Sequence, residues 1–98
     1  MEAIMNTINY TKHAIKRSRQ RGILDDVIRL VADYGTQYCH KGCEITFLAE
    51  SDIKFLESEL NVRPQILDKC KRVYLVMSKN TLITAAHVKT KFKHNYWH

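Results

Sequence analysis

No apolar run in this chain approaches the roughly 18–20 residues needed to span a bilayer. The opening stretch, residues 1–7, also lacks the basic-then-apolar build of a secretory signal. Both absences argue against a membrane-embedded or exported protein, and a cytoplasmic one is expected. Cysteine is sparse: Cys39, Cys43 and Cys70 are odd in number and follow no framework spacing, so reduced thiols are expected. One proline and three glycines leave no Pro/Gly-rich linker, and there is neither an internal repeat nor a low-complexity tract. What remains is 98 residues, 45% hydrophobic and 27% charged, the make-up of one globular domain over residues 1–98.

Acidic residues are missing altogether from residues 69–98, which carry seven Lys/Arg. Residues 1–22 carry five Lys/Arg against one acid, and residues 23–68 carry four against nine. Two basic ends therefore flank an acidic middle, with a net charge of +6. If the ends meet in space they form a positive surface suited to a polyanion such as RNA. A soluble domain with a merely solvated basic tail has the same composition.

The most informative segment runs from Thr11 to Ile23. Thr11 suits a helix N-cap and Gly22 a helix stop, and between them lie His13 and five basic residues. His13, Arg17 and Arg21 recur every four positions, so a helix stacks them in one stripe. Like charges at that spacing repel by a few tenths of a kcal/mol per pair. Repulsion retained on a helix surface points to an anionic partner. Ala14, Ile15 and Ser18 provide a narrow face for packing on a sheet.

Around this helix the periodicities predict an α+β domain. An extended lead-in at Ile8–Tyr10 precedes it, and a second helix follows over roughly Leu24–Tyr34. That helix has an apolar stripe at Leu24, Val27, Ile28, Val31 and Tyr34, with Asp25 and Asp26 in its first turn. A strand is expected at Glu44–Ala49 and a short helix at Ser51–Leu60. Asn61–Lys71 reads as mostly loop, interrupted by Pro64. Arg72–Ser78 is nearly continuously apolar, as in a central strand covered on both faces. Lys79-Asn80 then turns the chain, with Asn80 tolerating positive φ, into a partner strand at Thr81–Val88. The expected architecture is two N-terminal helices packed on a mostly antiparallel sheet of about three to five strands.

His13, Ala14, Arg17, Arg21, Gly22 and Ile23 spell H-A-x-x-R-x-x-x-R-G-I. A second helix ending in Tyr34-Gly35 follows, and Leu82-Ile83-Thr84-Ala85 forms a late strand. Over roughly Tyr10–Val88 this pattern resembles a family of small bacterial proteins with an HAxxRxxxRGI helix. That family is grouped with RelE/ParE-type toxins and the barnase–EndoU–colicin–RelE ribonuclease folds. The resemblance implies a small RelE-like α+β fold, a metal-independent ribonuclease site and, in many cases, a partner antitoxin protein.

Metal-free RNA cleavage needs a base for the 2′-OH, cations for the charge gathering at phosphorus, and an acid for the leaving 5′-oxygen. Histidine suits either proton transfer, and the arginine fork suits the phosphate. His13, Arg17 and Arg21 are therefore the candidate catalytic group, joined by Thr84 and His87 from the late strand. Lys12 and Lys16 extend the basic surface. Lys89, Lys91, Lys93 and Trp97 in the tail interleave cations with aromatics, which grip phosphates and stack on unpaired bases.

No cofactor is called for. Cys39-His40-Lys41-Gly42-Cys43 with Cys70 offers soft ligands for zinc, but the C-x3-C spacing has no second pair, and a turn with incidental cysteines is the simpler reading. Other readings of the basic groups stand beside the nuclease one. His13 can cap or bridge backbone groups at a helix start, Arg17 and Arg21 can pair with Asp25, Asp26 or the acidic middle segment, and Thr84 can be an ordinary strand residue. At the level of function, the alternative is a non-catalytic nucleic-acid-binding or protein-interaction module on the same fold.

Overall fold

In the computed structural model, which describes residues 8–88, the extended lead-in before the basic helix pairs with the far end of the chain. β1 (Asn9–Tyr10) lies parallel to β5 (Thr81–His87), Asn9 opposite Thr81 and Tyr10 opposite Leu82. β5 pairs antiparallel with β4 (Val73–Ser78), β4 with β3 (Cys43–Phe47), and β3 with β2 (Thr36–His40). The result is a five-stranded mixed sheet in the order β1-β5-β4-β3-β2. Four helices accompany it: α1 (Lys12–Gln20), α2 (Asp25–Tyr34), α3 (Glu50–Ser58) and α4 (Pro64–Lys71). The domain is α+β. α1 packs on β5, α2 on β4 and β3, α4 on α2, and α3 on α4.

Two elements appear where the sequence-based expectation had none. α4 replaces the loop predicted at Asn61–Lys71. Pro64 occupies the first helical position, where its missing N–H breaks no bond and its fixed φ favours the helix. Leu67 and Cys70 then bury one face, and Lys69 and Lys71 suit the C-terminal dipole. β2 is the second, an edge strand whose T-Q-Y-C-H sequence shows little apolar alternation. It exists because Lys41 (φ 51°) and Gly42 (φ 83°) form a two-residue turn of the twist that hairpins favour.

β4 also differs from expectation. It is the middle strand of the sheet, yet its burial alternates: Val73, Leu75 and Met77 are buried under the helices, and Tyr74, Val76 and Ser78 on the other face are only half-buried. At the β4–β5 turn the positive φ falls on Lys79 (56°) rather than Asn80, and the Glu44 carboxylate accepts the Lys79 amide at 3.0 Å.

The core sits between the helices and one sheet face. Ile28 and Val31 of α2, Leu56 of α3, Cys70 of α4, Leu75 of β4, and Leu82 and Ala85 of β5 are all essentially inaccessible. Each large aliphatic side chain there contributes about 1.5–3 kcal/mol by leaving water. Burial also pushes the Cys70 thiol up to about 11. On the other sheet face Tyr38 and Phe47 meet edge to face, centroids 6.0 Å apart. Among the described residues no helix is long and apolar enough to cross a membrane.

A β-bulge in β5 decides which face its later residues join. Val76 pairs with Thr84 but Met77 pairs with Leu82, so Ile83 has no opposite number. The extra residue reverses the alternation along β5. Leu82 and Ala85 both face the helices, whereas Thr84 joins Val76 on the opposite face.

Candidate nucleic-acid interface

α1 is tied to β5 at both ends. At its start the Thr11 amide donates to the Leu82 carbonyl at 3.2 Å, and Thr11 Oγ1 caps the helix by accepting the Ala14 amide at 3.0 Å. At its end Arg21 Nη1 donates to the Ala85 carbonyl at 2.7 Å, on the margin of β5 that the two-residue β1 leaves unpaired. Gly22, at φ +67°, turns the chain out of the helix, and the Ile23 amide closes back on the Ser18 carbonyl at 2.9 Å. Ala14 and Ser18 form the buried seam against the sheet.

With 3.6 residues per turn, the rest of α1 sorts by side. His13 and Arg17, one turn apart and both exposed, occupy one flank, and Arg21 continues that stripe down to β5. Lys12 and Lys16 are exposed on the crest. Ile15 and Arg19 occupy the other flank, toward α2. Among the described residues no carboxylate pairs with His13, Arg17 or Arg21. Asp25, a partner considered for the arginines, is held elsewhere: it accepts the Tyr10 hydroxyl and, at 2.9 Å, Arg29 Nε. The Tyr10 bond holds the Asp25 carboxyl below its ordinary range; burial, the next largest effect, opposes it, and Arg29 adds to the lowering. Partial burial, then the Asp25 carboxylate, raises the Tyr10 phenol above its usual value.

The expected group is only partly assembled. His13 and Arg17 adjoin. Arg21 lies on the same stripe but spends a donor on the Ala85 carbonyl, which makes it a tether as well as a cation. His87 is exposed on the helix-side face of β5, opposite Val73 and two residues past Ala85. It thus lies at the Arg21 end of the stripe, which His13 begins about two turns earlier on α1. Thr84 does not join the others, because the bulge at Ile83 turns it to the face away from α1. Lys89, Lys91, Lys93 and Trp97 lie outside the described residues.

The cysteines do not form a cluster: Cys39 and Cys43 belong to the β2–β3 hairpin, and Cys70 is buried on α4. Among the described residues no three His, Cys, Asp or Glu side chains converge as a metal site. Sequence reasoning read Ser18 as a packing residue and Tyr10 as part of the lead-in, and it did not single out Arg19; all three line a groove on the far side of α1. The available signal was Ile15 and Arg19 at helical spacing, followed by Leu24. Compared with known protein families, curated proteins and solved structures, the chain matches none.

Proposed function

We propose that this chain is a toxin-like, RelE-like endoribonuclease that works without a metal ion and binds RNA along the outer flank of α1. One observation carries the reading: His13 and Arg17 stand exposed, one turn apart and without a carboxylate partner among the described residues, on a helix fixed at both ends. An unpaired guanidinium on a rigid element is what a phosphate backbone binds, and an imidazole beside it is in reach of the sugar hydroxyl next to that phosphate. In this reading Arg17 holds a phosphate oxygen and His13 takes the proton from the 2′-OH. The 2′-oxygen then bonds to phosphorus as the P–O5′ bond breaks, and the 5′-oxygen takes its proton from water, giving a 2′,3′-cyclic phosphate end and a 5′-hydroxyl end. Arg21 positions α1, Lys12 and Lys16 add charge, and His87 extends the track past Arg21. An antitoxin that neutralises the protein belongs to the same proposal.

A second reading has a specific observation in its favour. Thr84 faces away from α1, and His87 stands at the Arg21 end of the stripe rather than at the His13 end. That arrangement also suits a non-catalytic RNA-binding module.

The test is to incubate the full chain with end-labelled single-stranded RNA in excess chelator, comparing wild type with His13→Ala and Arg17→Ala. Cleavage to cyclic phosphate ends is expected, slowed about 10²–10⁴-fold in His13→Ala with RNA binding retained. Arg17→Ala should weaken binding. RNA that is bound but intact would assign the non-catalytic role, and absence of both binding and cleavage would reject the interface.

A further inference from the structure

The two edges of the sheet are finished differently. At one, β1 is only two residues long, and the β5 margin beside it is occupied. The Thr11 amide takes the Leu82 carbonyl, the Arg21 guanidinium takes the Ala85 carbonyl, and α1 packs alongside. A short strand and a covering helix both close a sheet edge to further strands. β2, at the other edge, has neither. Its five residues pair with β3 in unbroken register, without a bulge, proline, lysine or arginine, and no described strand lies outside it.

The hairpin fixes which backbone groups this edge presents. Lys41 and Gly42 both have positive φ, the two-residue turn in which the flanking His40 and Cys43 exchange both backbone bonds. Alternation from that pair turns the N–H and C=O of His40, Tyr38 and Thr36 toward β3, and those of Gln37 and Cys39 outward. Gln37 and Cys39 are both exposed. Two outward amides and two outward carbonyls at strand spacing match one extended backbone.

Charge along β2 says which backbone. Its hairpin tip carries Lys41. Its other end is acidic: Asp52 accepts the Thr36 hydroxyl at 2.7 Å and the Ala49 amide at 2.9 Å, both neutral donors, and pairs with no cation among the described residues. Tyr34 and Phe55 meet beside that end, centroids 6.0 Å apart, and stay 38% and 45% exposed. A strand basic at one end and acidic at the other complements itself when antiparallel.

We propose that β2 pairs antiparallel with β2 of a second copy, about a two-fold axis at Tyr38, joining two five-stranded sheets into one. Gln37 of each copy exchanges both backbone bonds with Cys39 of the other, and Thr36 lies opposite His40, so no like-charged pair meets across the seam. Lys41 of each copy arrives at the Asp52 end of the other, where the hairpin tip covers Tyr34 and Phe55. α1 stays at the far edges of the joined sheet, so the inference does not rest on the RNA reading.

The experiment combines sedimentation equilibrium with residue-resolved amide exchange on the full chain in a thiol reductant, so that no Cys39 disulfide contributes. Wild type should dimerise with a micromolar dissociation constant. The Gln37 and Cys39 amides should be protected in the dimer and exchange rapidly on dilution. Cys39→Pro removes an N–H that β3 does not use, so it should melt close to wild type and keep the Tyr38 and His40 amides protected, yet dimerise about tenfold more weakly or worse. Lys41→Asn keeps a residue that favours the turn and removes the charge; it should weaken the dimer several-fold and reduce its salt dependence. A monomer at every concentration, a dimer that leaves the Gln37 and Cys39 amides unprotected, or a dimer unchanged in both variants would overturn the proposal. Capture of an unrelated extended peptide at β2 without self-association would assign the edge to a different chain and overturn it equally.

Discussion

Thr46 on β3 has a fully buried side chain whose hydroxyl finds no partner. Valine keeps the branched shape without the oxygen, so Thr46→Val should raise stability by about 1 kcal/mol or more in a denaturant titration. Gly35 has the opposite constraint. A Cβ there would meet the Val31 carbonyl oxygen at 2.4 Å and the Phe47 carbonyl oxygen at 2.8 Å, both backbone atoms that cannot swing aside. Gly35→Ala should therefore destabilise by about 1–3 kcal/mol, read from the same titration. Asp25 supplies the pH dependence. Its folded pKa is depressed, so the stability it contributes is present above the ordinary carboxylate value near 3.9 and is lost as pH falls through the folded value. Tyr10→Phe removes the largest cause of that depression, and the acid limb of a stability–pH curve should flatten in that variant.

Elements whose local signals agreed with their tertiary role were legible in the sequence. α2 carries its apolar stripe and acidic first turn, and α1 its Thr11 cap and Gly22 stop. β2 was not legible, because an edge strand paired on one side needs little apolar alternation. α4 was misread because Pro64 marks a helix start as readily as a break. The basic stripe of the candidate site could be read from spacing alone. The position of Thr84 could not, since one unmatched residue, Ile83, decides which face it joins, and such a bulge leaves no composition signal. The tether from Arg21 to Ala85 is likewise a tertiary fact. Arg21→Ala frees the β5 carbonyl and loosens the end of α1, so amide exchange should accelerate at residues 17–21 relative to α2.

At the scale of the whole molecule, α1 lies on β5 and β1 pairs with β5 in parallel, so the described parts of the two chain ends adjoin; β5 itself carries no Lys or Arg, and the basic tail lies outside the described residues. Much of the acidic middle forms α2, α3 and the segments around them, leaving α1 to present cations on its crest and outer flank. Cleavage and simple RNA binding both need phosphates to sit on that flank. The most direct measurement is the affinity for a labelled single-stranded RNA across a range of salt concentrations, for wild type and Arg17→Ala. The wild-type log–log plot should fall steeply, and Arg17→Ala should lower the slope by about 0.7, the release expected for one single-strand phosphate contact. An unchanged slope and affinity in Arg17→Ala would contradict the placement of RNA on this helix.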